Sequence, residues 1–208
     1  RYDLPMMLAI IGGDPKRLTS SKDEMEYYPS WSRDGKSIVY VAWTDKGLGQ
    51  VQMIGAAGGS ARTLTKQGGL YSRPRFSPDG KTVVFEKGGG GGLISARNSG
   101  EPGVYRVSSA GGSPTLVASG VVTPQFGASN DRIFMVEPGD NKLDLISTDL
   151  SGQTKRVHAS GDLVTGYQVS PDGQYFAFRQ NYEAFVMPLM PGTQNVSVDP
   201  SGGPMPVT

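Results

Sequence analysis

Ser77-Pro78-Asp79-Gly80-Lys81 is followed almost at once by the apolar run Val83-Val84-Phe85, and the same arrangement returns along the chain. The pattern Ser-x-Asp-Gly before an apolar segment recurs at Ser32–Gly35 and at Ser170–Gly173, with a weakened copy at Ala128–Arg132. Proline presets φ at the first central position of a turn, aspartate bonds to neighbouring amides, and glycine accepts positive φ. Each copy, called here a head turn, therefore predicts a tight connection between two antiparallel strands.

A second sequence pattern recurs at about the same intervals as the head turns. It is a small glycine-containing turn followed by a short strand, called here a tail turn. The residues that lead into the head turns lie 45, 50 and 43 positions apart, at Trp31, Phe76, Phe126 and Val169. Repeats of about 40 to 50 residues with four short strands each are typical of propeller blades. The tail turns with their strands lie at 12–19, 58–65, 111–116, 151–157 and 202–208.

We therefore predict an all-β fold built of β-propeller blades, each of four antiparallel strands. Residues 1–19 supply half a blade, and full blades follow at about 27–65, 71–118, 122–158 and 165–208. Rings of six or seven blades are commoner than rings of four, so the segment is expected to be part of a six- or seven-bladed ring, or else a small ring closed in an unusual way. An open arc would expose blade faces and unpaired strand edges, which favours association.

Composition narrows the function classes. The chain has a net charge of +1 without a basic stripe, so nucleic acid is not an expected partner. Without cysteine, disulfides, zinc-thiolate sites and cysteine nucleophiles are excluded. There is no run of 18 apolar residues, so no membrane span is predicted. Because the chain begins at Arg1 and not at methionine, we expect a piece of a longer protein with any targeting signal upstream.

Two Gly-Lys-Ser/Thr triplets, Gly35–Ser37 and Gly80–Thr82, have the ending of a phosphate-binding loop. Such a loop needs a glycine five positions before its second glycine. Ser30 and Arg75 occupy those positions, and each triplet lies in a hairpin turn instead of preceding a helix. We interpret both triplets as structural.

Other candidate sites are also weak. The five glycines 88–92 lack the G-x-G-x-x-G frame, so 87–102 is predicted to be a flexible surface loop, or one that orders when a partner docks. His158 is the only histidine, which favours a structural or surface role over a metal site or a catalytic triad. Asp23, Glu24 and Glu26 could bind a cation or a basic peptide, but a solvated loop is the favoured interpretation, and 21–28 is predicted to be a loop.

Repetition argues against catalysis at the head turns. Asp34, Asp79 and Asp172 recur in the same turn, which favours capping over paired carboxylate chemistry. The acceptor pattern Asn195-Val196-Ser197 has little weight without a eukaryotic secretory source. No catalytic, cofactor-binding or metal-binding residue is predicted. Five aromatic residues at strand positions are predicted to pack between blades: Trp31, Trp43, Phe76, Phe85 and Phe126.

The blocks Tyr28–Lys36 and Arg75–Lys81 resemble the WD-like repeat of TolB-type β-propellers, which reads roughly P-x-(aromatic)-S-P-D-G before an apolar strand. The likeness covers nearly the whole chain, so 1–208 is expected to be a single TolB-like β-propeller fragment. It departs where Asn130-Asp131 replaces Asp-Gly and in the glycine-rich loop. The resemblance implies binding of protein partners at the face and channel of a propeller.

A narrower likeness is to the propeller region of large bacterial periplasmic amidohydrolases, which place TolB-like blades before a metal-dependent hydrolase barrel. The barrel's His-x-His motif has no counterpart here, so no catalytic residue carries over. The resemblance implies a secreted or periplasmic, non-catalytic segment that serves a protein partner or its own C-terminal hydrolase domain. A stand-alone TolB-type module and the gating propeller of a prolyl-oligopeptidase-like serine peptidase are the alternatives. The stretches that carry the likeness are Arg1–Met7, Leu64–Gln67, Val84–Gly90, Pro124–Phe126 and Met205–Thr208.

Overall fold

A computed structural model of the chain describes residues 15–89, 101–190 and 196–198. Every regular element in these residues is a β-strand. The strands are β1 (Met25–Trp31), β2 (Ser37–Thr44), β3 (Leu48–Gly55), β4 (Arg62–Thr63), β5 (Tyr71–Phe76), β6 (Thr82–Lys87), β7 (Gly103–Ser108), β8 (Thr115–Ser119), β9 (Val122–Phe126), β10 (Arg132–Pro138), β11 (Lys142–Asp149), β12 (Arg156–Asp162), β13 (Val164–Val169), β14 (Tyr175–Gln180), β15 (Glu183–Pro188) and β16 (Val196–Ser197).

The strands form successive antiparallel sheets, each of which is one blade. Blade one has the order β1-β2-β3-β4 and blade two the order β5-β6-β7-β8. Blade three contains β9 to β12, and blade four contains β13 to β15. The predicted all-β fold of four-stranded blades is thereby confirmed. The predicted last strand of blade four, at 202–208, lies outside the described residues, as does most of the predicted leading half-blade, and residues 15–24 form no regular strand.

The chain divides into two compact units, Arg1–Thr115 and Leu116–Thr208. In the first unit, Val39 and Val41 of β2 pack against Val83 and Phe85 of β6. The opposite face of β2 is buried as well, in a cluster that includes the partly buried Leu18. A strand buried on both faces has no reason to alternate apolar and polar residues, which explains the continuous apolar run in β2.

In the second unit, blades three and four share one core. Phe134 and Val136 of β10 pack with Phe176 and Phe178 of β14. The side chain of Gln125 joins the first strands of these blades. Its Nε2 donates to the Tyr167 carbonyl at 3.2 Å, and its Oε1 accepts from the Val169 amide at 2.8 Å.

The first strand of every blade is irregular. The pairing register shifts in β1, β5, β9 and β13, as a β-bulge requires. Three of these bulges contain a residue in the left-handed region: Tyr28 at φ 55°, Arg73 at φ 48° and Thr123 at φ 52°. Positive φ is uncommon outside glycine, and a bulky or β-branched residue there is strained.

The predicted loop at 21–28 is wrong from Met25 onward. Met25, Glu26 and Tyr27 pair with Trp43, Ala42 and Val41 of β2, so this stretch is the start of β1. Strand β1 lies at one edge of its sheet, where most of its side chains stay exposed.

Blade three carries an unexpected fifth strand. Strand β16 pairs with β12 in parallel, and the Val198 amide donates to the Ser160 carbonyl at 2.9 Å. Val198 is buried in the core that blades three and four share. A smaller parallel bridge joins Thr65 to Gly112 in the first unit. In both units, a residue or short strand late in one repeat therefore pairs in parallel with the end of the preceding blade, as β16 does with β12 and Gly112 does with Thr65.

Candidate interaction surfaces

The head turns are closed by their own hydrogen bonds. The Ser77 hydroxyl donates to Asp79 at 2.7 Å, and the same carboxylate accepts from the Lys81 amide at 3.0 Å. The Thr82 amide donates to the Ser77 hydroxyl at 3.0 Å. The serine bond is the main reason that the pKa of Asp79 lies below its usual value. The capping role predicted for the repeated aspartates is confirmed.

Two more copies use identical geometry. In blade one the Ser32 hydroxyl donates to Asp34 at 2.6 Å, and in blade four the Ser170 hydroxyl donates to Asp172 at 2.5 Å. The backbone amides of the Lys and Ser/Thr residues in the Gly-Lys-Ser/Thr triplets donate to the serine and aspartate side chains of their own turns. The triplets therefore do not form a phosphate cradle. Most of the glycine-rich loop predicted at 87–102, including 90–100, lies outside the described residues, and so does Asn195.

His158 lies in the interior of blade three. Its Nε2 is 2.7 Å from the Ser147 hydroxyl, which also accepts from Arg132 Nη1 at 2.8 Å. Which of Ser147 and His158 donates in this bond depends on the tautomer of the imidazole, since a hydroxyl has one donor and two acceptor lone pairs. Burial, with Arg132 and Arg156 nearby, lowers the pKa of His158 to about 4. Ser147 has no exposed surface, so the pair is structural and not a nucleophile with its base.

The acidic stretch is less solvated than predicted. Glu24 and Glu26 line a cavity of about 270 Å³ together with Tyr40 and Gln52. Tyr40 donates to Gln52 Oε1 at 2.9 Å, and Gln52 Nε2 lies 3.4 Å from Glu24. Burial and the two glutamates raise the pKa of Tyr40. Asp23 is exposed. Within 15–89, 101–190 and 196–198, no group of three His, Cys, Asp or Glu side chains could hold a metal.

Strand β1 presents large apolar side chains to solvent. Met25, Tyr27, Tyr28 and Trp31 are between 38% and 47% exposed, and they define the β1 surface. The Tyr27 and Tyr28 ring centroids lie 6.3 Å apart. The predicted packing of Trp31 between blades is wrong. The residue at that place in the next blade, Phe76, is buried because blade one precedes it and covers it.

The other aromatic residues predicted to lie between blades differ in burial. Phe76, Phe85 and Phe126 are buried, as expected, whereas Trp43 is only partly buried. Phe85 makes an edge contact with Tyr71 at a ring-centroid distance of 5.1 Å. The prediction therefore succeeds for the phenylalanines and fails for the tryptophan at the first head turn.

In the second unit, two turns place exposed apolar residues in left-handed conformations. Asn181 and Tyr182 connect β14 to β15 at φ 48° and 71°, and Tyr182 is fully exposed. Leu163 connects β12 to β13 at φ 58° and is 65% exposed. Because Val164 pairs with Gln180, these two turns lie at the same end of blade four. Asn-Gly suits such a turn, and tyrosine at its second position is strained.

The sequence is similar to those of known proteins. No family model matches the chain. It is 40% identical over 57 residues to the Tol-Pal system protein TolB of Francisella tularensis, an alignment that covers 27% of this chain and 13% of that protein. It is 28% identical over 189 residues to the protein Atu1656 of Agrobacterium fabrum, which covers 83% of this chain and 60% of that protein.

Solved structures agree on the fold. TolB from Acinetobacter baumannii superimposes with a TM-score of 0.59 at 23% identity, covering 81% of this chain and 41% of that chain. The chain has a TolB-like β-propeller fold. It spans less than two thirds of the length of these relatives.

Enzymes share this fold as well. An oligogalacturonate lyase from Vibrio parahaemolyticus superimposes with a TM-score of 0.64 at 11% identity, covering 82% of this chain and 53% of that chain. A prolyl endopeptidase superimposes with a TM-score of 0.58 at 17% identity, covering 93% of this chain and 30% of that chain. At such identities the likeness concerns the fold alone, so function must be argued from the surface. No helix among the described residues combines the length and hydropathy of a membrane span.

Proposed function

We propose that the chain is a non-catalytic β-propeller segment of a secreted or periplasmic protein. In this proposal it binds protein and thereby holds a hydrolase domain outside this chain, or gates access to it. The exposed, strained apolar residues carry the proposal. Tyr28 in the first unit and Tyr182 in the second combine positive φ with large exposed side chains.

Neither tyrosine gains burial that would offset the strain of its backbone. Strain that brings no gain in packing is a known mark of binding and switching segments. Tyrosine also offers a large contact area at a low entropic cost, which makes it common in protein interfaces. These properties support a protein partner over a small substrate.

The hydrolase partner rests on a separate argument. The amidohydrolase likeness of the sequence places TolB-like blades before a metal-dependent barrel, and the chain spans 41% of the Acinetobacter TolB chain. The only histidine of the sequence, His158, is hydrogen-bonded to Ser147. In this proposal, residues beyond this chain carry out the chemistry, and the blades position them.

Photo-crosslinking in the complete natural gene product, expressed in its own host, tests the proposal. The probe p-benzoylphenylalanine replaces Tyr28 or Tyr182, and matched controls carry it at the exposed turn positions Lys36 and Gln174. We expect crosslinks to a hydrolase domain or a separate protein from the tyrosine positions only. Equal crosslinking at the turn controls, or none at either tyrosine, would overturn the interaction role.

A second measurement tests the non-catalytic part. The 208-residue chain, supplied with zinc or manganese, is assayed for hydrolysis of amide substrates. We expect no turnover above buffer, and turnover by the chain alone would contradict the proposal. A crosslinked peptide carrying Gly-x-Ser-x-Gly would point instead to a serine peptidase partner.

A further inference from the structure

We propose that one end of the second unit binds a segment of a partner protein that carries both lysine or arginine and an apolar residue. This end, called here the acidic end, consists of Asp140, Asp162, Leu163, Tyr182 and Glu183, all of which are exposed. The inference rests on the proposed function, since Tyr182 is one of its two contact points, and it adds the chemistry of the partner segment.

Three connections between strands meet at the acidic end. The β10–β11 hairpin contains Asp140, and Lys142, at the start of β11, pairs with Asp162 of β12. The turn after Asp162 leads into β13, and the β14–β15 hairpin contains Tyr182. The buried side chain of Gln180 joins these last two connections, because its Nε2 donates to the Asp162 carbonyl at 2.7 Å. The acidic and apolar side chains are therefore carried on adjoining backbone.

The apolar part of the acidic end lies at the tips of two turns. Leu163 is 65% exposed, and Tyr182 is fully exposed. Neither side chain belongs to the core that blades three and four share. A leucine and a tyrosine exposed at one end of a unit supply apolar contact area for a partner. The open face of the tyrosine ring also attracts an ammonium or guanidinium group.

The described residues leave the carboxylates of the acidic end unneutralised. None of its three carboxylates forms an ion pair or a side-chain hydrogen bond with another described residue. Two cations lie close by along the chain. Lys142 is paired with Asp144 at 3.4 Å, and Arg179 donates from Nε to Thr165 at 2.7 Å. Three unpaired carboxylates against one guanidinium make this end negatively charged.

The opposite end of the same unit uses its carboxylates differently. Arg132 pairs with Asp149 there, at the far end of β11 from Lys142. The aspartates at that end accept hydrogen bonds from serines of their own turns, at Asp131, Asp149 and Asp172. Arg132 and Arg156 offset their charge. Of the two ends, the acidic end therefore presents the carboxylates that have no described partner and can accept from another protein.

Charge complementarity indicates the occupant. Lysine or arginine side chains can donate to the three carboxylates while an apolar neighbour covers Leu163 and Tyr182. A nucleic acid or an anionic lipid surface would be repelled by the same carboxylates. Exposed ion pairs contribute little each, so the charges set the rate of encounter and the orientation, and the apolar contact supplies most of the affinity.

Photo-crosslinking from Tyr182→p-benzoylphenylalanine in the complete natural gene product tests the inference. The probe is placed in an otherwise unchanged product, in Asp162→Asn with Glu183→Gln, and in Gln153→Lys with Gln174→Lys. The last pair changes the net charge equally, at exposed positions of the opposite end. Crosslinking is carried out in extracts of the natural host at ionic strengths of about 0.01 M and about 0.15 M, between which screening shortens from about 30 Å to about 8 Å.

We expect the crosslinking yield to fall about threefold or more when the two carboxylates are neutralised, and to stay within about 1.5-fold in the Gln153→Lys and Gln174→Lys control. Added salt should lower the yield in the unchanged product and have less effect in the neutralised one. Asp162→Glu with Glu183→Asp keeps both charges and should keep the yield. A loss there as large as in the neutralised product would show that shape and not charge governs the contact, which contradicts the inference.

The crosslinked peptide identifies the occupant. A partner peptide with lysine or arginine beside an apolar residue supports the inference. A peptide of neutral or negative charge, a crosslink to the chain's own residues, or an equal yield in every background would overturn it and leave the proposed function standing. No crosslink from Tyr182 in any background would also overturn it, and the proposed function would fail as well if Tyr28 gave none.

Discussion

The head turns and the junctions between neighbouring blades use glycine in similar conformations but in different surroundings. Gly35 and Gly80, in the head turns, have φ of +68° and +71°, and a Cβ at either would meet nothing within 4 Å. Gly152, in the tail turn of blade three, has φ of +79°, but its Cβ would lie 2.0 Å from the Val117 carbonyl oxygen. A head turn depends on its own residues, whereas a junction depends on a strand of the preceding blade.

Gly152→Ala should have the largest effect. The alanine combines an unfavourable positive φ with a clash against backbone, which cannot move without displacing β8. We expect a loss of about 3 kcal/mol or more in the free energy of unfolding, measured by urea denaturation. Gly35→Ala is the matched control and should lose only about 1 kcal/mol, from φ alone. Equal losses would remove the distinction between the two kinds of turn.

Gln125→Ala tests a second junction. Its side chain bonds to the backbone of Tyr167 and Val169, and without it the buried Val169 amide loses its partner. We expect a loss of about 1 to 3 kcal/mol in unfolding free energy, the penalty for an unsatisfied buried donor. Gln168→Ala, at an exposed position of the same strand, should change stability by less than about 0.5 kcal/mol. A loss at Gln168 as large as at Gln125 would contradict the assigned role.

The sequence predicts what the head turns do because their chemistry is local. Serine, aspartate and glycine at fixed spacing close the turn among themselves, and Asp34 and Asp79 take the capping role expected of them. The same reasoning predicts the strands on either side, and hence the blades. It also separates structural residues from catalytic ones, since a residue repeated in every turn serves the turn.

The junctions and the candidate surfaces were not predictable in this way. Gly152 has the same residue type as Gly35, and only the position of Val117 distinguishes them. Trp31 resembles Phe76 in the pattern but is 47% exposed, whereas Phe76 is buried in the core that blades one and two share. Tyr28 does not signal positive φ, because its conformation is imposed by the pairing of β1 with β2. Each of these depends on contacts distant in sequence.

His158 links stability to pH in the tail half of blade three. The pKa of His158 is about 4 in the folded protein, compared with an ordinary value of 6.5. Between these two pH values the unfolded chain binds a proton at His158 and the folded chain does not. Stability should therefore be complete above pH 6.5 and fall by about 1 to 2 kcal/mol as the pH drops to 4.

The control for this pH effect is His158→Gln, which should flatten the slope between pH 6.5 and 4. The further loss below about pH 3.8 should persist, because the head-turn carboxylates have lowered pKa values and their contribution disappears only when they are protonated. An unchanged slope in His158→Gln would assign the pH dependence to other groups.

Asp79→Ala should have the smallest effect, because Asp79 is exposed and its loss stays local. The substitution removes the acceptor of the Ser77 hydroxyl and of the Lys81 amide, and water can replace both bonds. We expect a loss of about 1 kcal/mol or less by urea denaturation. Lys81→Ala keeps both bonds and should be neutral within about 0.5 kcal/mol. If Asp79→Ala destabilised the protein as much as Gly152→Ala, the head turns would have to support contacts beyond their own residues, and their description as self-contained would fail.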